Sequence, residues 1–205
     1  VAHVLEHMMF KGTPSVGPGE FNKLVAAAGG RDNAFTSRDY TAYFQQVPKE
    51  KLAEMMRLEA DRMRHLNVDP KEFAQEIKVV MEERRMRTDD NPQSKLFEQM
   101  NAVAFQAHPY RRPIIGWMND LETMTAADAK AWYDTWYVPN NAFVVIVGDV
   151  DHKEVFALAE KYFGALDNRA LPVRKPQVEP TQEGTRRVNV KAPAELPVLI
   201  MGYKA

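Results

Sequence analysis

Two histidines near the start of the chain constrain its fold and chemistry more than any other feature. His3 and His7 stand four positions apart in the run His3-Val4-Leu5-Glu6-His7, and a helix with 3.6 residues per turn projects both from one face. Their imidazoles can therefore bind one metal ion, with the Glu6 carboxylate beside that face to accept a proton from a metal-bound water. The alternative is an amphipathic helix with two incidental histidines.

Catalytic zinc usually takes three protein ligands, so a third ligand must come from elsewhere in the chain. Residues 72–83 carry apolar side chains at helical spacing and predict an amphipathic helix. Glu76 and Glu83 are two turns apart on a stripe that also contains Val80. A carboxylate that is partly buried on such a stripe needs a partner, and a metal ion would be one.

The segment formed by residues 3–13 resembles the active-site helix of the pitrilysin/insulysin family of zinc metallopeptidases, which includes the mitochondrial processing peptidase beta subunit. Its His-x-x-Glu-His order is the inverzincin signature. Further matches follow in family order at residues 33–37, at residues 108–110 with Gly116, and at residues 147–150. The resemblance spans most of the chain and implies the N-terminal catalytic half of such a protease.

The resemblance implies a role for each residue of the proposed site. His3, His7 and Glu83 correspond to the three ligands of one zinc ion, Glu6 to the general base that activates a zinc-bound water, and Glu76 to a second glutamate that hydrogen-bonds a ligand histidine. Neutral imidazoles with one carboxylate suit Zn²⁺. The alternatives are a surface salt-bridge role for Glu6 and a plain helix-face charge at Glu76.

The family's substrate strand corresponds to four residues, Asn33, Ala34, Phe35 and Thr36. The resemblance implies that a peptide adds to this strand as an extra strand beside the metal, through main-chain hydrogen bonds. The implied activity is a zinc-dependent endopeptidase that hydrolyses peptide bonds in extended or unfolded peptides. Without the resemblance, an ordinary half-buried strand would be the simpler interpretation.

Composition limits which partners the chain can attract and which residue types can hold a metal. The 27 basic and 28 acidic residues nearly balance, so no net field attracts nucleic acid, and no apolar run is long enough to predict a membrane segment. The chain has no cysteine, so a metal must be held by His, Asp or Glu. S-ribosylhomocysteine lyase shares the His-x-x-Glu-His helix, but it relies on a cysteine that is absent here.

The chain starts on its metal-binding motif and stops soon after the apolar run at residues 196–203. Together with the resemblance, this predicts that residues 1–205 are a single catalytic-type domain that lacks its first strands. A second homologous domain or subunit would complete the chamber around the substrate, and the isolated fragment would be weakly active or inactive. The bacterial periplasm, the cytoplasm and the mitochondrial matrix are all compatible locations.

A non-catalytic scaffold or partner subunit of the same fold is the alternative function. Such members typically lose the metal motif, whereas this chain keeps it. His108 belongs to a proline-containing loop, and a structural role is favoured there because the family uses no third histidine.

Periodicity predicts an α+β fold in which a mainly antiparallel sheet packs against several helices. Helices are predicted from the start of the chain to about Phe10 and at residues 20–28, 48–65, 70–87, 93–105, 125–136 and 152–163. Strands are predicted at residues 31–36, 41–47, 142–147, 186–190 and 198–203.

Overall fold

A computed structural model describes residues 1–204. These residues form α-helices and one two-stranded antiparallel sheet, which confirms the predicted α+β class. The elements are α1 (Ala2–Met8), α2 (Glu20–Ala27), β1 (Arg31–Thr36), β2 (Thr41–Gln46), α3 (Leu52–His65), α4 (Pro70–Arg84), α5 (Pro92–Ala104), α6 (Met118–Thr123), α7 (Ala126–Trp136) and α8 (His152–Phe163).

The hairpin formed by β1 and β2 was predicted with nearly its observed bounds. Its register pairs Arg31 with Gln46 at one end and Thr36 with Thr41 at the other. The Ser37 N–H donates to the Tyr40 carbonyl (2.8 Å) and closes the turn. Burial alternates along β1, with every second side chain half-buried, as expected for a strand with one face on a core.

Helix ends follow the sequence signals closely. The N-terminus of α7 carries the predicted capping box, in which Thr125 Oγ1 accepts from the Asp128 N–H while the Asp128 carboxylate accepts from the Thr125 N–H. The predicted end of α4 at residue 87 was too late, because the α-helix stops at Arg84 and a π-helical turn, Arg85–Asp89, follows. The short helix α6 was not predicted.

The three C-terminal strand predictions, at residues 142–147, 186–190 and 198–203, were wrong for the described chain. These segments form no sheet pairing there, and Phe143 and Val147 are 86% and 92% exposed. A strand needs a neighbour for its backbone groups, and an apolar segment indicates a tendency to pair without supplying that neighbour.

The described residues cluster into two compact units. The first comprises residues 1–76 and 124–173, and the second comprises residues 77–123 and the segment from residue 174 onward. The division falls inside α4, which is one continuous helix. One core cluster of the first unit contains the buried side chains of Val16, Phe21, Val25, Met55 and Leu58.

A buried arginine and a buried tyrosine tie the helices of the first unit together. The Arg62 guanidinium stacks on the rings of Phe10, Phe21 and Tyr43 at 4.2–5.1 Å. The Tyr133 hydroxyl donates to the Arg62 carbonyl (3.0 Å) and accepts from the Leu66 N–H (3.1 Å). Burial raises the pKa of Tyr133 to about 12, so this hydroxyl keeps its proton.

The second unit is organised by polar contacts to backbone groups. Arg84 makes two hydrogen bonds to the Glu98 carboxylate (2.7 and 3.0 Å) and one to the Gly116 carbonyl (2.8 Å). The Glu179 carboxylate accepts the backbone N–H groups of residues 106–108 at 2.8–3.0 Å. No described helix is both long and apolar enough to cross a lipid bilayer.

Candidate metal centre

The helix α1 is embedded by its apolar residues and presents its histidines together. Val4, Leu5 and Met8 are fully buried, so these side chains anchor α1 on one side. The rings of His3 and His7 meet edge to face, with centroids 4.9 Å apart. The i, i+4 spacing therefore brings the two imidazoles side by side, as the helical interpretation of the motif requires.

Glu76 on α4 contacts His7 directly. Its Oε1 lies 2.8 Å from His7 Nδ1, and its Oε2 lies 2.5 Å from Lys11 Nζ. The hydrogen bond from His7, opposed by burial and reinforced by Lys11, holds the pKa of Glu76 below its ordinary value. An ionised carboxylate only accepts hydrogen bonds, so Nδ1 carries the proton and the lone pair of His7 resides on Nε2.

Glu83 follows Glu76 by two turns on the continuous helix α4 and belongs to the same group of side chains as the histidines. One nitrogen of His3, one nitrogen of His7 and one carboxylate oxygen of Glu83 all lie within 4.8 Å of one another. The exposed side chain of Arg87, one turn later, also reaches Glu83 Oε1 at 2.5 Å. The arginine can turn into solvent, whereas the Glu83 side chain is only 15% exposed.

The donor set fits a zinc ion. Zinc favours imidazole nitrogen and carboxylate oxygen at bonds of about 2.0–2.2 Å, which sets tetrahedral ligand atoms about 3.4 Å apart. Atoms that already lie within 4.8 Å of one another need to close by no more than about 1.4 Å to reach that spacing. His7 also has the carboxylate partner on its far nitrogen that typically orients a metal ligand.

Glu6 is almost fully buried on α1, one residue before His7. Its Oε2 accepts a hydrogen bond from the hydroxyl of Thr36, the last residue of β1. Sequence reasoning assigned Thr36 to the substrate strand and missed this contact. No spacing rule joins positions thirty residues apart, and the packing of α1 against β1 brings Thr36 and Glu6 together.

The other three residues assigned to the substrate strand all lie in β1. Asn33 and Phe35 are exposed and Ala34 is half-buried. The Ala34 N–H donates to Asn33 Oδ1 (2.9 Å). Hydrogen-bonded and non-hydrogen-bonded residue pairs alternate along an antiparallel hairpin. Ser37 and Tyr40 form a bonded pair at the turn, so Ala34 and Tyr43, three pairs further on, form a non-hydrogen-bonded pair. The Ala34 N–H therefore points away from β2.

His108 lies outside the metal-binding group, as expected for a structural residue. Its Nδ1 accepts from the Tyr110 N–H (3.3 Å) and its ring packs against the Tyr110 ring at 4.5 Å. The histidine thus caps the 3₁₀ turn Pro109–Arg111.

Two family models match the chain. Residues 1–117 match the insulinase family of peptidases, M16, and residues 123–205 match the M16 inactive domain. The zinc protease PqqE of Helicobacter pylori is 40% identical over the whole chain and 47% of its own length. The mitochondrial-processing peptidase subunit beta of Blastocladiella emersonii is 31% identical over 81% of this chain and 36% of its own length.

Solved structures show the same relationship. A protease from Helicobacter pylori matches with a TM-score of 0.85 and 41% identity, over 89% of this chain and 44% of its own. The first half of the periplasmic protease PqqL from Escherichia coli matches with a TM-score of 0.77 and 28% identity, over 86% of this chain and 40% of its own. The chain spans about half the length of the relatives it matches, or less. It belongs to the insulinase family of zinc peptidases, M16.

Proposed function

We propose that the protein containing this chain is a zinc-dependent endopeptidase, with His3, His7 and Glu83 as metal ligands and Glu6 as general base. The observation that carries this proposal is the convergence of two imidazole nitrogens and one carboxylate oxygen within 4.8 Å. The two imidazoles belong to α1, which also bears Glu6, and the carboxylate belongs to Glu83 on α4. The proposal agrees with the zinc protease names of the relatives.

The residues divide the chemistry between them. A zinc ion held by the three ligands would act as a Lewis acid that makes water reactive at neutral pH. Glu6 takes a proton from the attacking water and returns it to the leaving amine as the peptide bond breaks. Glu76 holds His7 in the tautomer that a ligand needs, and Lys11 holds Glu76 ionised.

The substrate is proposed to be an extended peptide that adds to β1 on the edge opposite β2. On that edge the alternation of the hairpin directs the backbone groups of residues 32, 34 and 36 outward. A bound strand would replace Asn33 Oδ1 as the partner of the Ala34 N–H. Extended or unfolded segments suit this mode because they present unpaired backbone groups.

A second homologous domain or subunit is proposed to complete the substrate chamber. The chain covers under half of the length of PqqE and matches the first half of PqqL. The 205-residue chain alone is accordingly expected to cleave peptides weakly or not at all.

The test compares the full-length natural protein with its Glu83→Gln and Glu6→Gln variants, by zinc content and by cleavage of an unfolded peptide. Glu83→Gln should lose zinc and cleavage together, whereas Glu6→Gln should keep zinc and lose cleavage. Glu82→Gln on the same helix is the matched control, because Glu82 is exposed and pairs with Arg85. Full zinc and unchanged cleavage in Glu83→Gln would refute the ligand assignment.

A further inference from the structure

We propose that Thr36 positions the general base, by holding one oxygen of the Glu6 carboxylate through its hydroxyl and so assigning proton transfer to the other oxygen, Oε1. This inference rests on the proposed function. It goes beyond the proposed role of β1 in binding substrate through its backbone, because it concerns the side chain of Thr36.

The contact is specific in its atoms and its direction. Thr36 Oγ1 donates to Glu6 Oε2, and a carboxylate buried on α1 gains more from such a bond than an exposed one would. The threonine hydroxyl has one hydrogen. That hydrogen is committed to Glu6, so any other partner of Thr36 Oγ1 must donate to it.

Thr41 is that second partner. The two threonine hydroxyls lie 3.1 Å apart across the end of the hairpin, where Thr36 and Thr41 face each other in the register. Their pair is non-hydrogen-bonded in the backbone, since the next pair, Ser37 and Tyr40, is bonded. Side chains approach most closely in such pairs. Thr41 therefore donates to Thr36, because the one hydroxyl hydrogen of Thr36 is already given to Glu6.

Two half-buried tyrosines lie next to the threonines. The hydroxyls of Tyr43 and Tyr137 are 2.6 Å apart, and a hydrogen bond with Thr41 acts on the Tyr137 hydroxyl. Burial, and then the neighbouring Tyr137, raise the pKa of Tyr43, and burial raises the pKa of Tyr137. Both phenols therefore keep their protons.

The bond from Thr36, itself held by Thr41, fixes the plane of the Glu6 carboxylate. A β-branched side chain at the end of a paired strand has few rotamers, so the Thr36 hydroxyl acts as a rigid support. A base that rotates freely would spend less time aligned with the attacking water, and a misplacement of about 1 Å can cost about a hundredfold in rate. This hydroxyl belongs neither to the candidate ligand set, His3, His7 and Glu83, nor to the backbone groups of the proposed substrate edge.

The test uses Thr36→Val, which keeps the shape and removes the hydroxyl, and Thr36→Ser, which keeps the hydroxyl. In the full-length protein, Thr36→Val should lower kcat about 10- to 100-fold with KM and zinc content unchanged. Thr36→Ser should restore most of the lost kcat. Thr123→Val is the matched control, because the exposed Thr123 hydroxyl bonds only carbonyls of its own helix.

A second variant covers the case in which Thr36→Val does not fold, as judged by thermal unfolding. Thr41→Val leaves the Thr36 bond to Glu6 in place and removes its support, so kcat should fall by a smaller factor. Unchanged kcat in a folded Thr36→Val protein, or in Thr41→Val where it replaces that variant, overturns the inference. If kcat is unchanged in these threonine variants but lost in Glu6→Gln, the proposed function stands and only the role of Thr36 is refuted. A wild-type protein that binds zinc and cleaves nothing would refute both the proposed function and the role of Thr36.

Discussion

The Nδ1 atom of His7 and the Oε1 atom of Glu76 lie 2.8 Å apart, although 69 residues separate the two in the chain. The second oxygen of the same carboxylate is held by Lys11. A chain of three side chains thus runs from a surface-reaching lysine through a carboxylate to an imidazole of the metal-binding group. In the proposed site, Glu76 supports His7 and Glu83 is the third ligand.

Replacing Glu76 with glutamine should weaken zinc binding. Glutamine fills the same volume but removes the negative charge that fixes the His7 tautomer and raises the basicity of its other nitrogen, so zinc affinity should fall about 10- to 100-fold. Competition with a chromophoric chelator measures this change. Glu82→Gln is the control, and equal zinc affinity in the Glu76 and Glu82 variants would contradict the supporting role.

Local geometry explains which parts of this site could be predicted from sequence. The pairing of His3 with His7 follows from helical periodicity alone, because both residues belong to one helix. The assignment of Glu83 needed the family resemblance, since no pattern relates a helix at the start of the chain to a glutamate so far downstream. The Thr36 bond to Glu6 depends on a hairpin register and a helix position together, and no sequence rule combines these.

The errors in the predicted fold also have a physical origin. Residues 142–147 form a continuous apolar run of the kind that buried strands have, yet the ladder that would hold them requires a neighbour at hydrogen-bonding distance. By contrast, residues 31–36 and 41–46 supply each other with partners through a short turn. Sequence patterns therefore predicted the local hairpin well and the long-range strands poorly.

Proline at position 34 tests the proposed substrate edge. The Ala34 N–H points away from β2, so Ala34→Pro removes a donor that the hairpin does not use. If an extended peptide binds there, the loss of one hydrogen bond of about 1.4 kcal/mol should raise KM about tenfold, as measured by steady-state cleavage of an unfolded peptide. Phe35→Pro is the contrasting variant, because its N–H faces β2 and its loss should destabilise the hairpin. An unchanged KM in folded Ala34→Pro protein would exclude this edge.

Arg62 should be one of the most sensitive positions for stability in the first unit. Its side chain is 3% exposed, pairs with Glu59 (Nε to Oε2, 2.8 Å) and stacks on three aromatic rings. Arg62→Ala would leave the Glu59 carboxylate without its cation and should lower the free energy of unfolding by about 3 kcal/mol. Chemical denaturation measures this value.

Two further substitutions separate charge from shape at this position. Arg62→Lys should not restore stability, because an ammonium can neither stack as a plane nor pair in a fork. Arg57→Ala, at an exposed position on the same helix, should stay within about 0.5 kcal/mol of the wild type. A stable Arg62→Ala protein would show that the aromatic cage packs equally well without the guanidinium.

The Glu179 carboxylate predicts a pH-dependent contribution to stability. Burial alone would raise the pKa of this carboxyl, but hydrogen bonds from Lys204 and from the backbone N–H groups of residues 106–108 hold the pKa well below its ordinary value of 4.5. A depressed pKa in the folded state means that the stabilisation is complete above about pH 4.5 and is lost as the pH falls through the folded value. Glu179→Gln should therefore be less stable than the wild type at pH 7, and the difference should shrink progressively below about pH 4.5.

Denaturation series at pH 7, 5, 4 and 3 measure the difference, with Glu183→Gln at an exposed position as the control. A wild-type advantage that stays constant down to pH 3 would mean that the carboxylate charge is not what holds this loop.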